Sequence, residues 1–324
     1  MDGGEELDPI VTGAIVKVGE AGQKFADSAA AETGGLLRRL LGPSADVIGQ
    51  DWADRLRQKN MARLLSKTEK HAEGNPDPGW AQPRVAAAVF EAAQYANDEI
   101  VTDYLSGVLA SSRAPEGGTD DALPWSSLVA RLSALQLRIH YVAYVNFRQV
   151  LRPTEKISRL FEFESNQIAV PMTDFLSAVG LDPEGSDFQR FADALQGLRQ
   201  EDLLQDFAYG DRDFFTQRQT AALMGLKFGR KTKKLFETPY DDVLLLSYSP
   251  FGVQFFLWGL GLGMAHDTDY LDPERVLELH DPDALVARDP IDGVGFSESY
   301  WVEYDSDGNV IPKKGEESNE TEGT

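Results

Sequence analysis

The sequence predicts a mostly α-helical protein: an N-terminal helical domain, a winged-helix-like α+β domain, and an acidic C-terminal extension. Three observations lead there. Apolar residues recur at helical spacing through most of the first 200 positions. A strand-like Val243 to Ser247 run leads into a helix-patterned Pro250 to Leu262 segment. From His266 onward, 17 acidic side chains face 4 basic ones, which places −13 of the total charge of −22 in the last fifth of the chain.

The elements follow in order. Residues 1–42 form a small-residue-rich helical arm, in which Val11, Ala14, Ile15 and Val18 sit at helical spacing. Leu36, Leu37, Leu40 and Leu41 make a second apolar patch around Arg38 and Arg39. Two packing helices are expected here, rather than a membrane-active arm, because basic charge beyond that pair is sparse. Residues 43–113 form a helical domain. Its first helix, 43–73, carries Leu56, Met61, Leu64 and Leu65 on one face and stops at Glu73-Gly74-Asn75-Pro76. Arg55, Arg57, Lys59, Arg63, Lys67 and Lys70 are balanced by Asp46, Asp51, Asp54, Glu69 and Glu73, so a solvated, nearly neutral face is expected. Trp52 is read as an anchor for this helix. Helices over about 83–96 and 97–112 follow, with Pro83 in a first turn and Asn97 as N-cap.

Residues 114–123 read as an acidic linker. Residues 124–265 form the winged-helix-like domain. One helix is expected from Pro124 to about Val150, a second over about 173–179, and a third over about 184–200 beyond Gly180-Leu181-Asp182-Pro183. A hairpin between Leu203 and Ser247 would be the wing, although some forty residues exceed a minimal one. Residues 266–324 form the acidic extension, with turns at Asp272-Pro273, Pro282-Asp283 and Asp289-Pro290 and a polar, disordered tail.

Three stretches here resemble the Abi-alpha (abortive-infection alpha) family of bacterial proteins linked to phage defence. The first runs from Leu41-Gly42-Pro43 through Asp51-Trp52-Ala53-Asp54-Arg55-Leu56-Arg57 to Asn60-Met61-Ala62-Arg63-Leu64-Leu65. The second covers Ala92 to Ala110, where an acidic helix start precedes Leu105-Ser106-Gly107-Val108-Leu109-Ala110. The third is Leu244-Leu245-Leu246-Ser247-Tyr248-Ser249-Pro250-Phe251-Gly252 through Phe255. The acidic region after Gly263 departs from the family pattern. The resemblance implies a non-enzymatic role in phage defence, exercised through contacts with a protein partner or through self-association into a homo-oligomer.

Composition narrows the alternatives. At 42% hydrophobic residues the chain has material for a packed core. A charge of −22 argues against non-specific binding to nucleic acid or anionic membrane by the chain as a whole. With no cysteine, disulfides, thiolate zinc sites and cysteine nucleophiles are excluded. The acidic Met1-Asp2-Gly3-Gly4-Glu5-Glu6 start does not resemble a signal peptide, and a cytoplasmic location is expected. Val243 to Ala265 runs 23 positions without a charge, but Ser247, Ser249 and Pro250 read as strand, turn and helix rather than as a span. A membrane-acting effector built on that segment or on the first 41 residues is the least favoured of the three functional readings.

Candidate chemistry is sparse. Lys227, Arg230, Lys231, Lys233 and Lys234 place five cations in eight residues, the footprint of a nucleic-acid-binding wing in a regulator. The competing reading is a solvated loop paired with the chain's own acidic extension. Two His-Asp-x-Asp tetrads, at 266–269 and 280–283, lack the i, i+4 spacing of a helical metal site, and capping explains both more simply. Asp305-Ser306-Asp307-Gly308-Asn309 resembles the start of a calcium loop without its closing glutamate, so a turn is expected. Gly259, Gly261 and Gly263 are read as helix packing, and His140 as a core-edge residue. The sequence thus offers no catalytic residue, metal ligand or cofactor motif to assign.

Overall fold

The computed structural model describes residues 59–73, 79–115, 118–151, 167–211, 241–263, 265–279, 291–292, 294–297, 303–304 and 310–311. It divides into two compact units: residues 1–132 with 257–264 and 278–284, and residues 133–256 with 265–277 and 285–324.

In the first unit, α1 (Lys59–Ala72), α2 (Pro83–Ala93), α3 (Glu99–Ser111) and α4 (Leu123–Arg131) pack together, with a short antiparallel pair, β1 (Trp80–Ala81) and β2 (Arg113–Ala114). The apolar face expected on α1 is there: Met61, Leu64 and Leu65 are buried. Pro83 opens α2, where its missing N–H costs no intrahelical bond. The start of α3 differs by one residue from the sequence reading, since Asp98, not Asn97, is the N-cap and accepts the Ile100 N–H at 3.2 Å. Asp98 does so because its backbone is extended there while its carboxylate meets the first free amides of the helix. Buried residues cover α3 on all sides, the mark of a central helix.

Residues 257–263 pack against α3 at one point of very close approach. A Cβ on Gly107 would lie 1.8 Å from the Gly259 carbonyl oxygen, so only glycine permits this crossing. Ser111 Oγ donates to Trp258 O at 3.1 Å and accepts the Gly263 N–H at 2.9 Å, while His71 Nδ1 donates to Leu260 O at 3.1 Å. Helix packing, expected for this glycine series, is thereby accounted for.

The second unit is built on α5 (Ala134–Leu151) and a four-stranded antiparallel sheet. The single helix expected from Pro124 to Val150 is two helices, because Leu132 turns extended and Ser133 restarts the helix. Gln136 N donates to Ser133 Oγ at 3.2 Å, and Ser133 N to Gln136 Oε1 at 2.8 Å, a reciprocal capping box. The sheet is formed by β3 (Gln167–Pro171), β4 (Asp206–Asp211), β5 (Asp242–Ser247) and β6 (Gly295–Ser297), in the order β4-β5-β3-β6. β3 and β5 are central and buried, whereas β4 is a half-buried edge with Asp206 and Asp211 exposed at its ends. α6 (Met172–Ala178) and α7 (Phe188–Gln200) fill the connection from β3 to β4 close to their expected spans.

As expected, β5 leads into α8 (Pro250–Gly259) through Ser249 and Pro250. No helix among the described residues is long and apolar enough to cross a membrane. Part of the segment read as an acidic extension joins the sheet: β6 pairs with β3, Phe296 opposite Ile168. β7 (Glu303–Tyr304) and β8 (Val310–Ile311) pair antiparallel; the Asp305–Asn309 sequence, where a turn is expected, lies outside the described residues. A short helix, α9 (Asp267–Leu271), is held by Arg148, whose guanidinium donates to Tyr270 O and Asp272 O at 2.7 Å.

Candidate functional site

A helix buried on all sides must pair every polar side chain it carries, because each loses its water. α3 carries Glu99, Thr102 and Asp103 on the turn nearest its start, and α1 supplies the partners. Arg63 and Lys67 stand one turn apart on α1, matching Glu99 and Asp103 one turn apart on α3. Lys67 Nζ lies 2.8 Å from Asp103 Oδ1 and 2.9 Å from Glu99 Oε2, and Arg63 Nη1 also pairs with Glu99. The Asp103 side chain is 0% exposed and that of Lys67 only 6%, so this pair is withdrawn from solvent. The solvated face expected for the basic stripe is thus corrected at these two positions. Their carboxylate partners, Glu99 and Asp103, lie across the helix interface, and Arg63 Nη2 also donates to Asn60 Oδ1 within α1 at 3.4 Å. Arg55 and Arg57 lie outside the described residues.

Arg63 also holds the loop between α2 and α3. Arg63 Nη2 donates to Ala96 O at 2.8 Å and to Thr102 Oγ1 at 3.1 Å, and Asn60 Nδ2 donates to Gln94 O at 3.3 Å. With Asp98 capping α3, residues 94–98 are held by three side chains, those of Asn60, Arg63 and Asp98.

Above that loop lies an open groove of about 690 Å³, within the first unit. Its floor is small and apolar: Ala88 and Ala92 from α2, Val101 from α3, and Val129 and Ala130 from α4. Glu91 and Asp98 place two carboxylates in the lining, and no lining residue is cationic. Tyr95, which also lines it, is 80% exposed, an unusual setting for a large aromatic ring. The lining contains no histidine and no lysine, and the chain has no cysteine. Apolar area, an aromatic ring and fixed negative charge suit recognition of another surface.

The sequence-derived candidates are dispersed. Lys227, Arg230, Lys231, Lys233 and Lys234 lie outside the described residues, as do Trp52 and the His280 tetrad. In the other tetrad, His266 precedes α9 and its N–H donates to Asp269 Oδ2 at 2.7 Å, the capping role expected. Among the described residues no group of His, Asp and Glu is arranged to hold a metal ion.

His140 corrects its expected place at the core edge. It is fully buried in the second unit, its Nε2 donating to Gly252 O at 3.1 Å, with Tyr144 at 4.5 Å and Phe255 at 5.0 Å between ring centroids. Desolvation pushes its pKa down to about 3, against a smaller opposing effect of the Gly252 carbonyl, so the ring is neutral. Burial likewise raises the Tyr144 phenol above its usual range, and its hydroxyl accepts the Ser249 N–H at 3.0 Å. These groups organise the core of the second unit, and neither lines the groove described above.

No family model, curated protein or solved structure matches this chain.

Proposed function

We propose that this protein acts through protein contacts made at the groove over residues 94–98, in the phage-defence setting that the Abi-alpha resemblance implies. One observation carries the reading: an apolar, negatively charged groove beside a four-fifths exposed Tyr95, on a loop held rigid from beneath. Contact surfaces concentrate energy in aromatic anchors seated near apolar floors, and a fixed loop lowers the entropy lost on binding. In this reading the protein is not an enzyme and needs no cofactor.

The test is Ala130→Arg. Ala130 is exposed and lines the groove, so an arginine there fills the space and offsets one of its two negative charges, with stability kept within ~0.5 kcal/mol. Bacteria expressing the full chain are challenged with a phage panel, and plaque numbers are compared with those for the variant. Loss of restriction by a folded variant supports the reading; unchanged restriction removes the groove from it.

A second reading, a nucleic-acid-binding winged-helix regulator, draws support from the pairing of β4 with β5. β4 and β5 are the strands on either side, in sequence, of the stretch carrying Lys227 to Lys234, which itself lies outside the described residues. In that reading, Arg230, Lys231, Lys233 and Lys234 changed to Glu abolish a salt-sensitive gel shift.

A further inference from the structure

The groove lies between helices, and its shape sets what can enter it. α2 and α4 pack against each other, and both contribute to the lining. Along α2 and the residues after it, the lining runs from Ala88 to Tyr95, about 10 Å or two turns at the rise of a helix. A gap of that length over two packed helices is the seat of a third helix. Its larger apolar side chains enter the space that Ala88, Ala92 and Ala130 leave open.

Charge narrows the occupant. Glu91 is exposed on α2, Asp98 adds a second carboxylate, and the lining holds no cation. A second copy of the chain, docked face to face through this groove, would bring two such carboxylate pairs together with no counter-charge, and they repel. A helix with branched apolar side chains on one face and cations beside them meets both parts of the lining. Tyr95, 80% exposed, also offers an aromatic face on which a guanidinium can stack.

We infer that the partner presents a cationic amphipathic helix to the groove, with apolar side chains on the alanine floor and arginines or lysines toward Glu91 and Tyr95. The inference rests on the groove being the contact surface, and it names the chemistry of what binds there.

Fluorescence anisotropy on the full-length protein tests it with three labelled peptides of about 15 residues, a length that forms helix. The first carries leucine on one helical face and arginine on the other. The second has glutamate in place of arginine, and the third is the first in scrambled order. A chain of net charge −22 attracts any cation, so two equal charge reversals are compared. Glu91→Lys lies in the groove, and Asp193→Lys changes an exposed residue of the second unit. The leucine–arginine peptide is expected to bind about tenfold more tightly than its scrambled form, and the glutamate peptide not at all at the same concentrations. Glu91→Lys and Ala130→Arg each weaken that binding about tenfold, whereas Asp193→Lys leaves it unchanged and all three variants melt with the parent. No binding of the leucine–arginine peptide, equal binding of the scrambled one, equal losses from the two charge reversals, or preference for the glutamate peptide overturns the inference. The Ala130→Arg restriction assay reads the contact surface by itself. Lost restriction without groove-specific peptide binding removes the cationic helix and keeps the contact reading; groove-specific binding with restriction intact leaves the groove its chemistry and removes its part in defence.

Discussion

Replacing Lys67 with Met tests whether the charge pair between α1 and α3 organises the first unit. Lys67 Nζ is the ammonium 2.8 Å from a carboxylate that is 0% exposed. Methionine keeps most of the side-chain volume but withdraws that charge from the fully buried Asp103 carboxyl. Breaking one side of a buried pair costs about 3–5 kcal/mol, far above the few tenths typical of an exposed substitution. Asp103→Leu alone is expected to cost less, because Lys67 keeps Glu99 at 2.9 Å, a carboxylate 30% exposed and partly hydrated. Lys67→Met/Asp103→Leu removes both charges and is expected within ~1 kcal/mol of the parent, so the double-mutant cycle yields a coupling of at least about 2 kcal/mol. Urea unfolding followed by far-UV circular dichroism measures all four proteins. A single substitution within ~0.5 kcal/mol of the parent, or costs that simply add, would refute the claim that the pair is withdrawn from water.

Two further predictions concern the cores. Since the folded-state pKa of His140 lies at about 3, below an unfolded value of ~6.5, its contribution is fully present above pH 6.5 and is lost as pH falls toward 3. Between pH 7.5 and 5.0 that group alone removes ~2 kcal/mol, so His140→Gln should flatten the stability profile there by about that amount; parallel profiles would contradict it. Gly107→Ala places a methyl 1.8 Å from the Gly259 oxygen, both partners being backbone, and should cost ~3 kcal/mol or more by thermal unfolding. Gly180→Ala, at φ +78° in open space, should cost only ~1 kcal/mol and serves as control.

Local signals in the sequence account for what was legible. Pro83 marks the start of α2, the Met61, Leu64 and Leu65 spacing marks the buried face of α1, and Ser249-Pro250 divides β5 from α8. The break before α5 was legible too. Ser133-Ala134-Leu135-Gln136 is a capping-box pattern, masked by the apolar periodicity that runs through it. The interior place of His140 was not legible, because its acceptor, Gly252 O, is 112 residues away. The same holds for β6, which meets β3 across more than a hundred residues.

The groove left one trace, alanines four residues apart at 88, 92 and 96, a spacing equally common in buried helix contacts. Its negative charge came from Glu91 and Asp98, one of them an ordinary N-cap. The charge pairs were hidden for a related reason. Arg63 and Lys67 read as surface residues on a nearly neutral helix until α3 presents Glu99 and Asp103 at the same spacing.

The most direct test of a protein that works by protein contacts is light scattering with absorbance on the purified full-length chain, at low and at high salt. The account predicts a particle of protein alone, with the same absorbance ratio at both salt concentrations. Nucleic acid that travels with the protein at low salt and leaves at high salt would contradict it and bring the basic stretch from Lys227 to Lys234 to the front.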